Sequence, residues 1–463
     1  AKPLGYYDNE VDLPGLFYKI RHAISSKRSP FDAIRTGDIA DSDIITRLAA
    51  GQDPRTGKQL VRVSGDQAGT GRSSRRRKVV GYDLQISAPK SVSVLYALGS
   101  PHLRSAIQSA HGRAFMRVLR YIEQEGLIIT RTGARSHRHD SASEMVASLY
   151  THILSRDLDP QLHTHGVLLN LCVRPDGKIG AIDNHRLKQY GGAIAALYRC
   201  ELAAILGAEL GLEAVRDERN FKLPIVPDAI TRLFSKRRIA IEAAAEAAGF
   251  DTAADRKRAQ KLSNATRAAK KKGLSLSALT GDWVRQAREA GFDPVSALAE
   301  IETRLARDQR NQPAAPSPTI DTQALLDRVF SHKALHTWPQ VLRVIAEELQ
   351  VSASADAALA AAESVRSALV AVDRTMEGDA IYTSEGLIRA EHDLLRMAQA
   401  GRGSWHGVAP RLVETVLARE TFLSAEQRDA IAHALNDDAM VAIEGPPGAG
   451  KSIMTAALHD VAK

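Results

Sequence analysis

Cysteine is nearly absent from this chain, which has only Cys172 and Cys200 in 463 residues. Two isolated cysteines form neither a disulfide framework nor the paired spacing of a cysteine metal site, so a small disulfide-stapled secreted protein is excluded. No run of about 18 apolar residues occurs, so no membrane span is predicted. The first residues, AKPLGYYDNE, lack the apolar segment of a secretory signal. We therefore expect a cytoplasmic protein.

Acidic residues are outnumbered by basic ones. The chain has 62 Lys and Arg against 54 Asp and Glu, a formal net charge of +8. The basic residues concentrate in three segments, GRSSRRRK (71–78), SKRR (235–238) and RAAKKKG (267–273). Any one of these is equally well explained as a solvated helix end or loop. Three of them together favour a polyanionic partner such as a nucleic acid.

The length predicts two to four folding units, and the hydrophobic patterns divide them. GYDLQIS alternates as a half-buried strand does, and apolar periodicity from Val92 predicts a helix after Pro89. LHTHGVLLNLCV is apolar on both faces, as a central strand is. AALAAAESVRSALVAV (357–372) predicts a helix, and MVAIE (440–444) a strand. The Pro-rich, polar stretch at 306–322 predicts a linker.

A phosphate-binding loop is predicted near the end of the chain. GPPGAGKS fits G-x-x-x-x-G-K-[ST] completely and stands between a strand pattern and a helix pattern, which is the context that the motif requires. The glycines let backbone N–H groups surround phosphates, the lysine contacts the β- and γ-phosphates, and the serine hydroxyl binds Mg²⁺. The predicted nucleotide-binding residues here are Gly445, Gly448, Gly450, Lys451 and Ser452.

Histidine is concentrated in one segment, HILSRDLDPQLHTHG, which contains His152, His163 and His165. The last two are separated by one residue, so on a strand both point to one face, about 7 Å apart. His152 lies far enough upstream for a preceding element to return alongside. Three neutral imidazoles can bind one divalent ion and leave positions open, and Asp83 on another strand could accept an imidazole N–H. For the His-x-His pair alone, a polar cleft without metal is the alternative.

These motifs resemble a known family. HILSRDLDPQLHTHGVLLN resembles the histidine-triad segment of the MobF (F-plasmid-type) conjugative relaxases, members of the HUH endonuclease superfamily. GYDLQISAPKSVSVLYAL resembles their strand–helix segment, with Asp83 at the position of the acidic partner of a metal-binding histidine. These relaxases are fused to a RecD-like helicase. LSAEQRDAIAHAL resembles the adenine-contacting motif of that helicase, with Gln427 at its glutamine.

The resemblance implies a site- and strand-specific relaxase that nicks single-stranded DNA at an origin of transfer. A tyrosine hydroxyl attacks the scissile phosphate with the assistance of a metal, leaving a 5′-phosphotyrosyl bond and a free 3′-OH. The family's nucleophile is the first tyrosine of an early pair, which corresponds to Tyr6, with Tyr7 as the alternative. Tyr18 stands in place of a second tyrosine cluster and serves the second strand transfer, or else simply packs in the core.

The implied fold class is α/β, an α+β relaxase core with a central antiparallel sheet and a helical lid. The implied domains are a relaxase at 1–305, with its core at about 1–235 and the lid at about 236–305, and the linker at 306–322. A mainly helical helicase N-terminal region at 323–420 follows, then the first strand–P-loop–helix of a RecA-like motor at 421–463. We expect ATPase activity only from a longer chain, because no later motor motif follows Ser452.

The implied cofactors are a divalent metal ion at the histidines and ATP with Mg²⁺ at the phosphate loop. The family suggests Mg²⁺ or Mn²⁺ at the histidines, while imidazole ligands favour Mn²⁺, Zn²⁺ or Ni²⁺ over Mg²⁺. The implied partners are single-stranded DNA and the accessory and coupling proteins of bacterial conjugation. Three alternatives stay open: a rolling-circle replication initiator, a DNA-binding ATPase with a degenerate nuclease half, and a metallohydrolase without a covalent step.

Overall fold

The computed structural model describes residues 14–22, 29–61, 79–133, 138–251, 275–306, 321–419 and 421–462, and from 252–274 only residues 255, 258, 259 and 262. The described residues divide into two compact units. The first takes the described residues up to Val329 together with Thr337–Ser367, and the second takes Phe330–His336 and the residues after Ser367. No helix among the described residues is long and apolar enough to cross a membrane.

An antiparallel sheet of five strands forms the centre of the first unit, in the order β1-β5-β6-β2, with β7 paired to β6. Its strands are β1 (Leu16–Arg21), β2 (Gly81–Ser87), β5 (Glu144–Leu154), β6 (Pro160–Val173) and β7 (Ile179–Gly180). The two central strands, β5 and β6, are also the longest, and their side chains are buried on both faces. This burial explains their nearly continuous apolar sequence and confirms the central strand predicted at the histidines.

Helices cover one face of this sheet. α2 (Lys90–Leu98) and α3 (Pro101–Gln124) lie against its strands, and α4 (His185–Leu210) packs against α3. Apolar residues of α3 recur at helical spacing, and Phe115 lies so close to Gly166 of β6 that an added Cβ would approach its ring to 3.2 Å. α1 (Ser42–Ala49) covers part of the opposite face, where its Ile45 and Leu48 join Phe17 and Val167 in one apolar cluster.

Smaller elements complete the first unit. They are β3 (Ile129–Thr132), β4 (Arg138–Ser141), β8 (Ile182–Asp183), β9 (Val215–Asp217), β10 (Asn220–Lys222), α5 (Asp228–Leu233), α6 (Lys236–Ala247), α7 (Leu276–Glu289), α8 (Pro294–Ala306), α9 (Thr322–Phe330, whose last residue belongs to the second unit), β11 (His336–Thr337, whose first residue belongs to the second unit), α10 (Trp338–Leu349) and α11 (Ala355–Arg366). The last two helices pack against α4, where Arg199 donates to Gln350 at 2.9 Å.

The second unit contains β12 (Leu369–Arg374), β13 (Ala380–Ser384), α12 (Glu385–Ala400), α13 (Pro410–Leu417), α14 (Ala425–Ala434) and α15 (Lys451–Ala462). The last three helices share a small apolar core that includes Leu417, Ile431 and Met454.

Two sequence predictions are wrong in and near this unit. The helix predicted at 357–372 ends at Arg366, and Leu369–Arg374 is a strand that pairs with β13. Alternating β-branched residues therefore follow long-range pairing here rather than the helical pattern before them. The segment 440–444, predicted as a strand, pairs with no strand among the described residues and is irregular. An isolated strand has no ladder to satisfy its backbone.

Candidate functional site

Three histidines converge at one end of the central sheet. His152 of β5 lies directly opposite His163 of β6, and His165 points to the same face two residues further on. Their ring centroids are 5.1–5.2 Å apart, and one ligand nitrogen from each lies within 4.8 Å of the others. All three are buried, with 6–8 % of their surface exposed. Three imidazole nitrogens this close together form a candidate ligand set for one metal ion.

Hydrogen bonds orient two of the rings. His165 Nδ1 donates to both carboxylate oxygens of Asp83, at 2.9 and 2.8 Å, and His163 Nδ1 donates to the backbone oxygen of Gln161 at 2.7 Å. Carboxylate and carbonyl oxygens only accept, so a neutral ring carries its proton on Nδ1 and a lone pair on Nε2. Such bonds fix the tautomer and direction of metal-binding histidines in proteins.

The predicted acidic partner, Asp83, is thus beside the histidines. It lies on β2, opposite Val167, and its side chain keeps 39 % of its surface exposed. Its contact joins segments 82 residues apart, as the motif comparison anticipated.

The turn that joins the two histidine strands is held by residues that sequence reasoning missed. Leu158 has φ +62°, a conformation uncommon for a residue other than glycine. Its backbone oxygen accepts a hydrogen bond from the buried Trp283 indole at 3.0 Å. The adjoining Asp159 accepts from the backbone N–H of Lys236 at 2.8 Å. Trp283 is one of only three tryptophans, which was the one available signal for it.

Lys90, inside the SAPKSVS motif, also contacts this turn. Its Nζ donates to the backbone oxygen of Pro160 at 2.7 Å. Burial lowers the pKa of Lys90 to about 8, although the charge of Asp159 opposes that effect. The sequence motif gives no indication of this contact, because it joins residues 70 positions apart.

The structure does not bring Tyr18 to the histidines. Tyr18 is buried in β1 opposite Ala147, on the sheet face that α3 covers, and its hydroxyl donates to Glu123 at 3.3 Å. Ala147 is five residues from His152 along β5, about 17 Å at strand spacing, and side chains an odd number of residues apart on one strand face opposite sides. Burial first, and then Glu123, raise the pKa of Tyr18 to about 12. The catalytic role considered for Tyr18 conflicts with this placement. Tyr6 and Tyr7 lie outside the described residues.

The basic segments are only partly described. Residues 71–78 and 267–273 lie outside the described residues. In the segment 235–238, Lys236 pairs with Asp159 at 3.2 Å and Arg238 with Glu242 at 2.7 Å. Both cations therefore pair with carboxylates of the same chain.

The predicted phosphate loop has a conformation that requires glycine. Gly448 and Gly450 have φ of +86° and +75°, where a side chain is strained. Lys451 begins α15, and its Nζ donates to the backbone oxygens of Gly445 and, at 3.1 Å, Pro446. The loop thus folds around the lysine amine and precedes a helix N-terminus, where backbone N–H groups favour anions.

The other predicted nucleotide-binding residues lie beside this loop. Gln427 donates through Nε2 to the backbone oxygen of Ala449 at 2.9 Å, and its Oε1 accepts from the backbone of Ser424. Ser452 lies exposed in the first turn of α15. The six predicted residues therefore share one region of the second unit.

Comparison with known proteins gives a consistent result for the first unit. The model of the protein family described as TrwC relaxase matches residues 18–290, which is more than half of the chain. The multifunctional conjugation protein TraI of Escherichia coli (strain K12) is 32 % identical over 266 residues, which are 55 % of this chain and 14 % of that protein. The chain thus spans about one seventh of that relative.

Solved structures of conjugative relaxase TrwC are similar to this chain. A metal-bound structure in complex with oriT DNA has a TM-score of 0.52 and 28 % identity, and covers 63 % of this chain and 94 % of that one. A complex with a 27-mer DNA comprising the recognition hairpin and the cleavage site has a TM-score of 0.50 and 28 % identity, and covers 60 % of this chain and 92 % of that one. The α/β fold with an antiparallel sheet is therefore that of these relaxases.

Proposed function

Because the chain belongs to the TrwC relaxase family of MobF-type conjugative relaxases, we propose that it nicks one strand of DNA at an origin of transfer by tyrosine transesterification. The observation that carries this proposal is the convergence of His152, His163 and His165 within 4.8 Å, with second nitrogens held by Asp83 and the Gln161 backbone. The relatives' complexes with oriT DNA support the same substrate.

The three imidazoles fit a divalent cation. Two have Nδ1 committed to acceptors, which leaves Nε2 as the ligand atom, and all three are shielded from water. When bound, the ion supplies positive charge that polarises the oxygens of the scissile phosphate. Nitrogen ligands favour Mn²⁺, Zn²⁺ or Ni²⁺ over Mg²⁺. The hydrogen bond to Asp83 holds the His165 proton on Nδ1, so that Nε2 faces the ion, and the Asp83 carboxylate stays partly exposed beside the site.

The nucleophile is Tyr6 by the family's order, with Tyr7 as the alternative. Leu16, at the start of β1, lies opposite Leu149, three residues from His152, and Gly15 lies against the ring of Tyr150. The chain therefore enters β1 from the end of the sheet that carries the histidines. Gly15 is eight positions after Tyr7, a stretch that can span about 27 Å, so both tyrosines can reach the site.

In the proposed step, the tyrosine oxygen forms a bond to phosphorus as the bond from phosphorus to the 3′-oxygen breaks. The tyrosine proton leaves to a base or to water, and the leaving 3′-oxygen takes up a proton from water or from an acid. The products are a 5′-phosphotyrosyl bond and a free 3′-OH. A hydrolytic enzyme would instead leave no adduct. A degenerate nuclease half would lack ligands, whereas the three histidines and Asp83 are all present.

The test is adduct formation. The protein is incubated with Mn²⁺ or Mg²⁺ and single-stranded oligonucleotides tiled across the candidate origin of its own element, and denaturing gels are read for a protein–DNA adduct. We expect an adduct that EDTA prevents and that either Tyr6→Phe or Tyr7→Phe abolishes. Tyr18→Phe is the matched control and should retain it. Cutting without any adduct would favour hydrolysis, and binding without cutting would favour the degenerate reading.

We further infer that residues 421–463 begin an ATP-dependent helicase motor, preceded by its N-terminal region at 323–420. The positive φ of Gly448 and Gly450 and the position of Lys451 at the start of a helix support nucleotide binding. We expect the chain to bind a fluorescent ATP analogue with Mg²⁺, and Lys451→Ala to weaken that binding at least tenfold. Equal binding by the variant would remove the assignment. Accessory and coupling proteins of conjugation are the proposed partners.

A further inference from the structure

A chain of hydrogen-bonded side chains lies behind the three histidines, on the opposite face of the sheet. The Tyr198 hydroxyl contacts His111 Nδ1 at 2.6 Å, and His111 Nε2 contacts Thr164 Oγ1 at 2.8 Å. Thr164 Oγ1 in turn contacts Thr151 Oγ1 at 2.8 Å. The series therefore runs from α4 through α3 to β6 and then to β5.

The two threonines of this series are neighbours of the metal ligands in the sequence. Thr164 stands between His163 and His165, and Thr151 immediately precedes His152. The two threonines face each other across the strands, and the next pair is His152 with His163. Neighbouring residues of a strand point to opposite faces, so holding Thr164 from behind fixes the rotation of β6 and the direction of the imidazoles in front.

The strands need such a constraint at this point. The pairing of β5 with β6 shifts between His152 and Leu154, and the turn beyond contains the positive φ of Leu158. A bulge interrupts the hydrogen-bond ladder and re-aims nearby side chains. The regular ladder therefore ends at the histidines, where ligand atoms must be placed within a few tenths of an ångström.

The series is also fully satisfied inside the core. A neutral imidazole donates through one nitrogen and accepts through the other, so His111 serves both Tyr198 and Thr164 without a charge. Burial, and secondarily the charge of His163, lower the pKa of His111 to about 3, so the ring is neutral near pH 7. Apolar residues of similar shape can replace a buried polar pair at little cost in stability. A contribution to folding stability alone therefore does not explain why polar residues occupy these positions.

We propose that His111, Thr164 and Thr151 are positioning residues of the metal centre, and that they set its affinity by fixing the register and rotation of the two histidine strands. This inference rests on the metal site of the proposed function. It assigns a role to residues that are not themselves ligands and that lie behind the histidines, on the opposite face of the sheet. Through His111 and Tyr198, the histidine strands are also held against α3 and α4. These are the longest helices among the described residues.

Two substitutions at one position separate positioning from packing. Thr164→Val keeps the β-branched shape and strand preference but removes the hydroxyl, whereas Thr164→Ser keeps the hydroxyl and loses a methyl group. Both are made in the full chain, and Co²⁺ binding is measured by calorimetry and by the visible absorption of the bound ion. We expect Thr164→Val to weaken Co²⁺ binding about tenfold or more and to change the absorption bands. Thr164→Ser should match the parent.

Each outcome is decisive. Parent-like Co²⁺ binding and absorption in Thr164→Val would overturn the inference, as would an equal loss in Thr164→Ser. Thermal unfolding shows whether Thr164→Val is folded. If it is not, Co²⁺ binding is compared in Thr151→Val, which removes the same hydrogen bond between the two strands from a less buried position. His152→Ala, which removes a ligand, should bind Co²⁺ far more weakly than every threonine variant. Absence of Co²⁺ binding by the parent would instead reject the proposed metal site.

Discussion

A histidine that is buried without charge makes folding sensitive to acid, and His111 is such a residue. Burial lowers its pKa from 6.5 to about 3. Between these values the unfolded chain binds a proton that the folded chain does not. The free energy of unfolding therefore falls as the pH decreases through this window, by about 1.4 kcal/mol per pH unit for one such group.

We expect His111→Gln to have a shallower dependence of stability on pH between about 6.5 and 4 than the parent. Glutamine keeps a donor for Thr164 and does not titrate. The measurement is the free energy of urea unfolding at several pH values, and the quantity compared is the difference between the two slopes, so that the carboxylates common to both cancel. Parallel curves for the parent and the variant would contradict the prediction. His102→Gln, at a histidine on the exposed start of α3, is the control.

Residues whose roles depend on short spacing were predictable, and those that depend on distant partners were not. His163 and His165 share a face because one residue separates them on a strand, and the motif supplied Asp83. His111, Lys90 and Trp283 act through partners 53 to 125 residues away along the chain. No local pattern identifies such pairs. The sequence around Tyr18 likewise does not show which face of β1 carries its side chain.

Among the elements, the turn between β5 and β6 depends on a helix far along the chain. Trp283 of α7 is 1 % exposed and donates its indole N–H to Leu158, the residue of positive φ. We expect Trp283→Phe, which keeps an aromatic ring but removes the donor, to cost about 1–3 kcal/mol of stability because the carbonyl loses its buried partner. Trypsin should then cleave faster after Arg156 within the loosened turn.

The measurements are the urea-unfolding free energy and the rate of tryptic cleavage after Arg156. Trp405→Phe is the matched control, because that indole is 65 % exposed in the second unit. It should change neither quantity. Unchanged cleavage after Arg156 in Trp283→Phe would show that packing of the ring, rather than its hydrogen bond, holds the turn.

Elements were predictable where local pattern and tertiary environment agree. β2 and β6 follow their alternation and their apolar runs. The strand Leu369–Arg374 was read as helix because Ala-rich sequence precedes it, and only its pairing with β13 makes it a strand. The segment before the phosphate loop fails for the complementary reason, since no described strand pairs with it.

At the scale of the whole molecule, the first compact unit extends beyond the predicted end of the relaxase. The predicted relaxase ends at residue 305, whereas the first unit includes Thr337–Ser367. Helix α10 buries Val341, Leu342 and Ile345, and α10 and α11 pack against α4. Polar contacts follow the same interface: Cys200 donates to the backbone oxygen of Ala346, and Glu201 accepts from the backbone of Ala355.

We expect a fragment of residues 1–305 to be markedly less stable than a fragment of residues 1–367. Fully burying one Val, Leu or Ile side chain contributes about 1.5–3 kcal/mol, so losing several of them removes a large part of a typical folding free energy of about 5–15 kcal/mol. Urea unfolding followed by far-ultraviolet circular dichroism measures this, with the whole chain as the reference for the 1–367 fragment. Equal midpoints for the two fragments would mean that α10 and α11 rest on α4 without stabilising it, and the predicted boundary at 305 would then also be the boundary of folding.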